Sequence, residues 1–219
     1  MLGGSGAVGT QVLRVLLKDR NLKKLTLLGR NPILNIDANF VHQYKINIFD
    51  SNSYASYLKE HDIAICTLGV GEPSKISKDD FLKIDKNAVL DFAIACKQAG
   101  VSHFELLSSV GINPESSSFY LRAKGELVEE LKTLAFERLS IFQPSMILTP
   151  TNRYGATQAI VLKVWPLLKF LLNGNLTKYR GIPIDILGKA IALNIFDKKA
   201  GLEMLEWEDF YSIIKKFDA

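Results

Sequence analysis

The chain has 219 residues, 47% of them hydrophobic, and its 27 basic and 23 acidic side chains leave a net charge of +4. A chain of that size and composition suits one well-buried α/β core and is rather small for two independent domains, so residues 1–219 read as one domain. The charge is spread without a lysine- or arginine-rich block, which excludes a nucleic-acid arm, and no stretch reaches the roughly 20 apolar residues of a membrane span.

The chain begins in a glycine turn, Gly3-Gly4-Ser5-Gly6-Ala7-Val8-Gly9, that runs into an apolar helix expected over Thr10 to Lys18. Such a turn brings bare backbone N–H groups to a pyrophosphate at a helix N-terminus, where unpaired amides and the helix dipole favour an anion. Only Met1 and Leu2 precede it, so the first strand is expected to be a stub. The turn leads straight from the first residues without a charged region or apolar run, so no signal peptide is expected. Short apolar runs then alternate with helical patterns, the mark of repeated βα units. Strands are expected at Lys24 to Leu28, Gln43 to Asn47, Ile63 to Thr67, His103 to Leu107 and Leu139 to Gln143. Helices are expected at Ser53 to Lys59, Asp80 to Ala99 and Phe119 to Leu134. The fold class is therefore α/β, a doubly wound parallel sheet of the Rossmann type with a truncated first strand, in which residues 149–219 add a small substrate-side cap.

The strand Lys24 to Leu28 leads into Gly29-Arg30, where a dinucleotide fold faces the adenosine ribose. An acid there would bind the 2′-hydroxyl of NAD, whereas a guanidinium matches a 2′-phosphate, so Arg30 argues for NADP(H) over NAD(H). Asp50 is placed to accept from the adenine amino group or to cap the helix near Ser53. Leu68 and Gly69 follow the next strand beside the cofactor ribose. Ser108 and Ser109 end the strand His103 to Leu107, and the order leaves open which of them acts. Tyr120 and Lys124 stand four apart on one helical face, so the ammonium can favour the ionised phenol, whose unperturbed pKa of about 10 is otherwise too high for acid/base work at neutral pH.

Cys66 and Cys96 lie in apolar stretches without metal-ligand spacing, and His42, His61 and His103 share none, so a metal site is not expected and reduced thiols in a cytoplasmic protein are. The apolar stretch Ala159 to Leu172, broken by Lys163, Pro166 and Lys169, reads as a helix packed on the core, with a homodimer face or peripheral membrane contact as alternatives. Arg153, Tyr154 and Arg180 are either ordinary surface residues or anion contacts for a substrate. Tyr179 to Ile184 resembles the short return strand of related dinucleotide folds, with a helix following from Leu187 to Asn194.

The glycine turn, Leu28-Gly29-Arg30, Leu106-Leu107-Ser108-Ser109, Tyr120-x-x-x-Lys124-Gly125-Glu126 and Phe142-x-Pro144 occur in an order that resembles atypical short-chain dehydrogenases/reductases of the HIV Tat-interacting protein type. The resemblance implies that Ser5, Gly6, Ala7, Val8 and Gly9 hold the pyrophosphate after the Gly3 corner, that Arg30 holds the 2′-phosphate, and that Leu68 and Gly69 lie on the ribose side. It also implies catalytic positions for Tyr120, Lys124 and one of the two serines, a bond from Lys124 to the nicotinamide ribose, and Ile147 beside the nicotinamide. Gln143 departs from the pattern, since relatives often carry an arginine there. The function expected is NADP(H)-dependent oxidation or reduction of a small carbonyl or alcohol substrate. A regulator that binds NADP(H) without turnover, and a nucleotide-sugar epimerase or dehydratase, are the alternatives.

Overall fold

A computed structural model describes residues 1–36, 38–149 and 172–217. The glycine turn enters α1 (Ala7–Leu16), followed by β1 (Leu25–Gly29), β2 (Val41–Lys45), β3 (Ile63–Cys66), α2 (Lys78–Leu82) and α3 (Ala88–Gln98). The second half runs β4 (His103–Leu107), α4 (Phe119–Thr133), β5 (Arg138–Phe142), β6 (Ile147–Leu148), β7 (Ile182–Pro183), α5 (Ile184–Asn194), β8 (Gly201–Leu205) and α6 (Trp207–Phe217). β1 pairs with β2, and β3, β4, β5 and β8 pair in that order, all parallel.

Leu2 joins the two groups by bridging to Leu28 on one side and Cys66 on the other. Its N–H donates to the Ile65 carbonyl at 2.9 Å and its carbonyl accepts from Thr67 at 2.9 Å, while Leu28 donates to the Met1 carbonyl at 3.0 Å. The sheet order is therefore β2-β1-Leu2-β3-β4-β5-β8, and the chain turns opposite ways on either side of Leu2. That reversal is the switch point at which open α/β sheets bind ligands.

Side chains alternate between two cores, as strands buried on both faces require. Leu28, Cys66, Phe104, Leu106 and Ile141 pack under α3 and α4, where Phe92, Leu127 and Leu131 meet them. Leu25, Leu27, Ile65 and Phe142 pack on the other face with Val12 and Leu16 of α1, Leu187 and Ile191 of α5, and Phe210 of α6. The doubly wound sheet expected from the alternating pattern is thus present, with its one-residue first strand at the centre.

Several boundaries differ from the expected ones. α1 starts three residues early because the turn ends at Gly6, which serves as its cap. The expected helix Ser53 to Lys59 is two 3₁₀ turns, Ser51–Ser53 and Ala55–Leu58, the first capped by the Asp50 carboxylate. The expected helix Asp80 to Ala99 contains a π turn, Lys83–Asn87, between α2 and α3. The return strand narrows to Ile182–Pro183 and pairs with Ile147–Leu148. β8 and α6 extend the sheet beyond the elements read from the sequence. Residues 150–171 of the expected cap, with Arg153, Tyr154 and the apolar stretch before Leu172, lie outside the described residues.

Far from the strand C-termini, β4, β5, β8 and α5 enclose a polar cluster. The Arg138 guanidinium donates to Glu203 at 2.7 and 2.9 Å and to the Asn194 side chain at 2.7 Å, and it also reaches the Asp197 carbonyl. Asn194 in turn donates to Glu105 at 2.7 Å, and His103 contacts Ser140 at 3.0 Å. Burial, then Arg138, pulls His103 down to about 3. Burial pushes the Glu105 carboxyl from 4.5 up to about 8 against the opposing pull of Asn194 and Arg138. The folded state thus holds the Glu105 proton more tightly than the unfolded chain. Its stabilising contribution is full below pH 4.5 and is lost as pH rises to about 8. Urea unfolding of Glu105→Gln across this window is expected to show a flatter decline than the wild type; parallel curves would contradict it.

Candidate functional site

A cleft of about 650 Å³ opens at the switch point. Gly6, Ala7 and Val8 form one wall, the Thr67–Gly71 loop after β3 a second, and Ser108, Tyr120, Lys124 and Asp85 a third; Ser145, Met146 and Ile147 close it from the β6 side.

The glycine turn is shaped by backbone contact. Gly3 has φ +90°, and a Cβ there would stand 2.6 Å from the Leu68 nitrogen. A Cβ on Gly9 would lie 2.1 Å from the Gly3 carbonyl oxygen, so only glycine lets α1 start this close to the sheet. Gly6 caps α1 with no side-chain hydrogen bond, and the first turn carries no acid, so its amides face the cleft without a competing carboxylate. Thr67 anchors the turn from the β3 side, its hydroxyl donating to the Gly3 carbonyl at 3.1 Å.

The structure brings Gly6, Ala7, Val8, Leu68, Gly69, Ser108, Tyr120, Lys124 and Ile147 of the expected set together on this cleft. Gly3 and Gly9 shape the turn behind it. Ser5 lines a separate small niche with Gly29, Asn31 and Tyr44. Arg30 is exposed just after β1 and Asp50 is exposed after β2, where its carboxylate accepts from the Asn52 N–H at 3.0 Å. The two serines part company. Ser108 is 8% exposed, lines the cleft, and its Oγ has no protein partner. Ser109 turns its hydroxyl to the Val110 carbonyl at 3.4 Å, and its own carbonyl accepts from Gln143 at 3.3 Å. Arg180 is occupied within the fold, donating to the Leu172 carbonyl at 2.7 Å and lying 5.1 Å from the Trp207 ring centre.

α4 carries Tyr120 and Lys124 into the cleft. It lies so close to the preceding loop that a Cβ on Gly125 would meet Asn113 at 2.4 Å. The Phe81 ring tilts over Tyr120 at 5.5 Å, and the Lys124 ammonium is 5.7 Å from the Tyr120 ring centre. Lys124 also pairs with Asp85 at 3.0 Å, with both side chains under 10% exposed. Burial alone would lower the Lys124 pKa, but Tyr120 and Asp85 beside it outweigh burial and raise it. Burial lifts the nearby Cys66 thiol to about 11, which keeps it neutral.

Asp85 was not among the expected site residues. The signal for it is an acid on an otherwise apolar helical stripe, with Phe81 four residues before it and Val89 four after, where a buried carboxylate needs a partner. Thr67 and Val70 carry no such signal, because their roles come from backbone proximity. Among the described residues there is no group of three or more His, Cys, Asp or Glu able to hold a metal, and no helix long and apolar enough to cross a membrane.

A parallel sheet with a glycine turn and an uncapped helix N-terminus at its switch point defines an NAD(P)-binding Rossmann protein. Residues 3–140 match the NAD(P)H-binding family model, and the chain belongs to that family. It is 35% identical to protein HTATIP2 of Rattus norvegicus over 94% of this chain and 84% of that protein, in line with the resemblance read from the motifs. It is also 30% identical to the mitochondrial protein FMP52-1 of Scheffersomyces stipitis over 87% of this chain and 80% of that protein. Among solved structures, MoeE5 in complex with UDP-glucuronic acid and NAD superposes with a TM-score of 0.70 at 17% identity, over 93% of this chain and 74% of that one. The UDP-N-acetylglucosamine 4-epimerase of Methanobrevibacter ruminantium gives 0.70 at 16% identity, over 100% of this chain and 81% of that one.

Ser108 supplies a stability test. Its hydroxyl is buried without a protein partner, so removing it forfeits no hydrogen bond within the fold. Ser108→Ala is expected to unfold in urea at or above the wild-type midpoint. A loss of more than about 1 kcal/mol would show that the hydroxyl is bonded in solution.

Proposed function

We propose that the protein is an NADP(H)-dependent oxidoreductase acting on a small carbonyl or alcohol substrate. The observation that carries this reading is the convergence of an unpartnered Ser108 hydroxyl, Tyr120 and Lys124 on the cleft that the uncapped α1 N-terminus also faces. The residues fit the cofactor. The Gly6, Ala7 and Val8 segment suits the pyrophosphate, with Gly3, Ser5 and Gly9 setting its shape, and the Leu68 and Gly69 backbone suits the ribose side. Arg30, exposed at the surface, would meet a 2′-phosphate, Asp50 would meet the adenine, and Ile147 would lie beside the nicotinamide.

The bound cofactor supplies the hydride. In the reductive direction Tyr120 would give its proton to the substrate oxygen, leaving a phenolate. Ser108 holds the same oxygen by a hydrogen bond, and Ser109 supports the turn behind it. The Lys124 ammonium stabilises the phenolate until solvent returns the proton. Oxidation runs through the same groups in reverse, with the phenolate as base. A cytoplasmic site of action goes with this reading; the mitochondrial names of the fungal relatives make a mitochondrial one its rival.

The test is NADPH oxidation by the purified chain against a panel of small aldehydes and ketones. Tyr120→Phe is expected to lower turnover by about 10² to 10⁴ while NADPH still binds. Equal rates for the two proteins, or NADPH binding without turnover on any carbonyl, would favour a cofactor-binding regulator.

A further inference from the structure

Asp85 is the buried acid lining the cleft for which the proposed reaction has no task. It sits on the π turn between α2 and α3, 2% exposed. π turns insert a residue into the helical register and gather at functional positions. Here the turn aims Asp85 and Lys86 together at α4. Lys86 reaches Glu126 at 2.7 Å and Glu130 at 3.1 Å, so its charge is met away from the cleft. The Asp85 carboxylate divides its two oxygens. Oδ1 lies 3.0 Å from the Lys124 ammonium, and Oδ2 accepts the Val70 N–H at 2.7 Å. The loop presses so near that a Cβ on Gly69 would stand 3.1 Å from Oδ1.

We propose that Asp85 is a positioning residue that balances the Lys124 charge, and so sets how strongly Lys124 favours ionised Tyr120, while the same carboxylate fixes the cofactor-side loop at Val70. The proposal rests on the reading of Tyr120 and Lys124 given above. A lysine 5.7 Å from the Tyr120 ring centre acts on the phenol with its full field only when no anion offsets it. Of the other groups packed here, Phe81 is apolar and the Cys66 thiol is neutral, so Asp85 is the carboxylate in contact with the Lys124 ammonium among the described residues. One carboxylate thereby links the proton-handling side of the cleft to the loop that runs beside the cofactor.

Tyrosinate absorbance of the full chain, titrated with and without Tyr120→Phe, isolates one of the seven tyrosines. In Asp85→Asn the amide oxygen still accepts from Val70 but the charge is gone. The Tyr120-dependent rise is expected to move to lower pH by about one unit. Asp85→Glu, which keeps the charge, is expected to stay near the wild-type midpoint. An unmoved titration in folded Asp85→Asn overturns the proposal, as would an equal shift in Asp85→Glu. If Asp85→Asn does not fold, Asp85→Ser reads the same shift. The titration needs no substrate, so its failure is separable from a failure to find turnover.

Discussion

The molecule depends on backbone-to-backbone contact at the first glycine turn. Met1 hydrogen-bonds to β1 and Leu2 to the β3 side, joining the two halves of the sheet, and the turn that follows folds so tightly that side chains on Gly3 or Gly9 would collide with main-chain atoms. α1 can therefore begin at the sheet edge with its first amides directed outward. The same contact fixes Thr67 and Leu68 against the turn, so one wall of the cleft is placed by the other. Buried polar groups cost several kcal/mol when left unpaired, and here the central backbone groups are paired through Met1 and Leu2.

The two buried charge clusters solve different problems. Around Arg138 the guanidinium ties β5 to β8 and α5, while Glu105 and His103 are driven toward their neutral forms by burial. Around Lys124 the ammonium is retained and met by Asp85. A buried ion pair adds little to stability against well-packed apolar residues, because desolvation consumes most of the attraction. Its value in the cleft is a fixed charge at a fixed place beside Tyr120.

Much of this was legible in the sequence for physical reasons. Strands buried on both faces appear as unbroken apolar runs, as in Ile63–Cys66, and the Gly3, Gly6, Gly9 spacing encodes close approach directly. Tyr120 and Lys124 share a face because a helix repeats every 3.6 residues. What escaped depends on tertiary position. β8, at the sheet edge, is short and interrupted by Glu203, and its Leu202 and Met204 are exposed, so it does not stand out as a buried strand. The π turn leaves no periodic trace, and Asp85 shows in the sequence only as an acid on an apolar stripe, whose partner Lys124 is set by the fold. At the end of β4 neither Ser108 nor Ser109 is marked by composition; their separation follows from which hydroxyl finds a carbonyl and which meets the cleft.

The measurement that bears most directly on this account is calorimetric titration of the purified chain with NADPH, NADH, NADP⁺ and NAD⁺, repeated on Arg30→Ala. Tighter binding of the two phosphorylated forms, with that advantage reduced about tenfold or more in the variant, is the predicted result, since one charge-assisted hydrogen bond is worth roughly 1.5–3 kcal/mol. Equal affinity for all four forms would contradict Arg30 as the 2′-phosphate contact. Binding by none of them would contradict the assignment of the cleft to a dinucleotide.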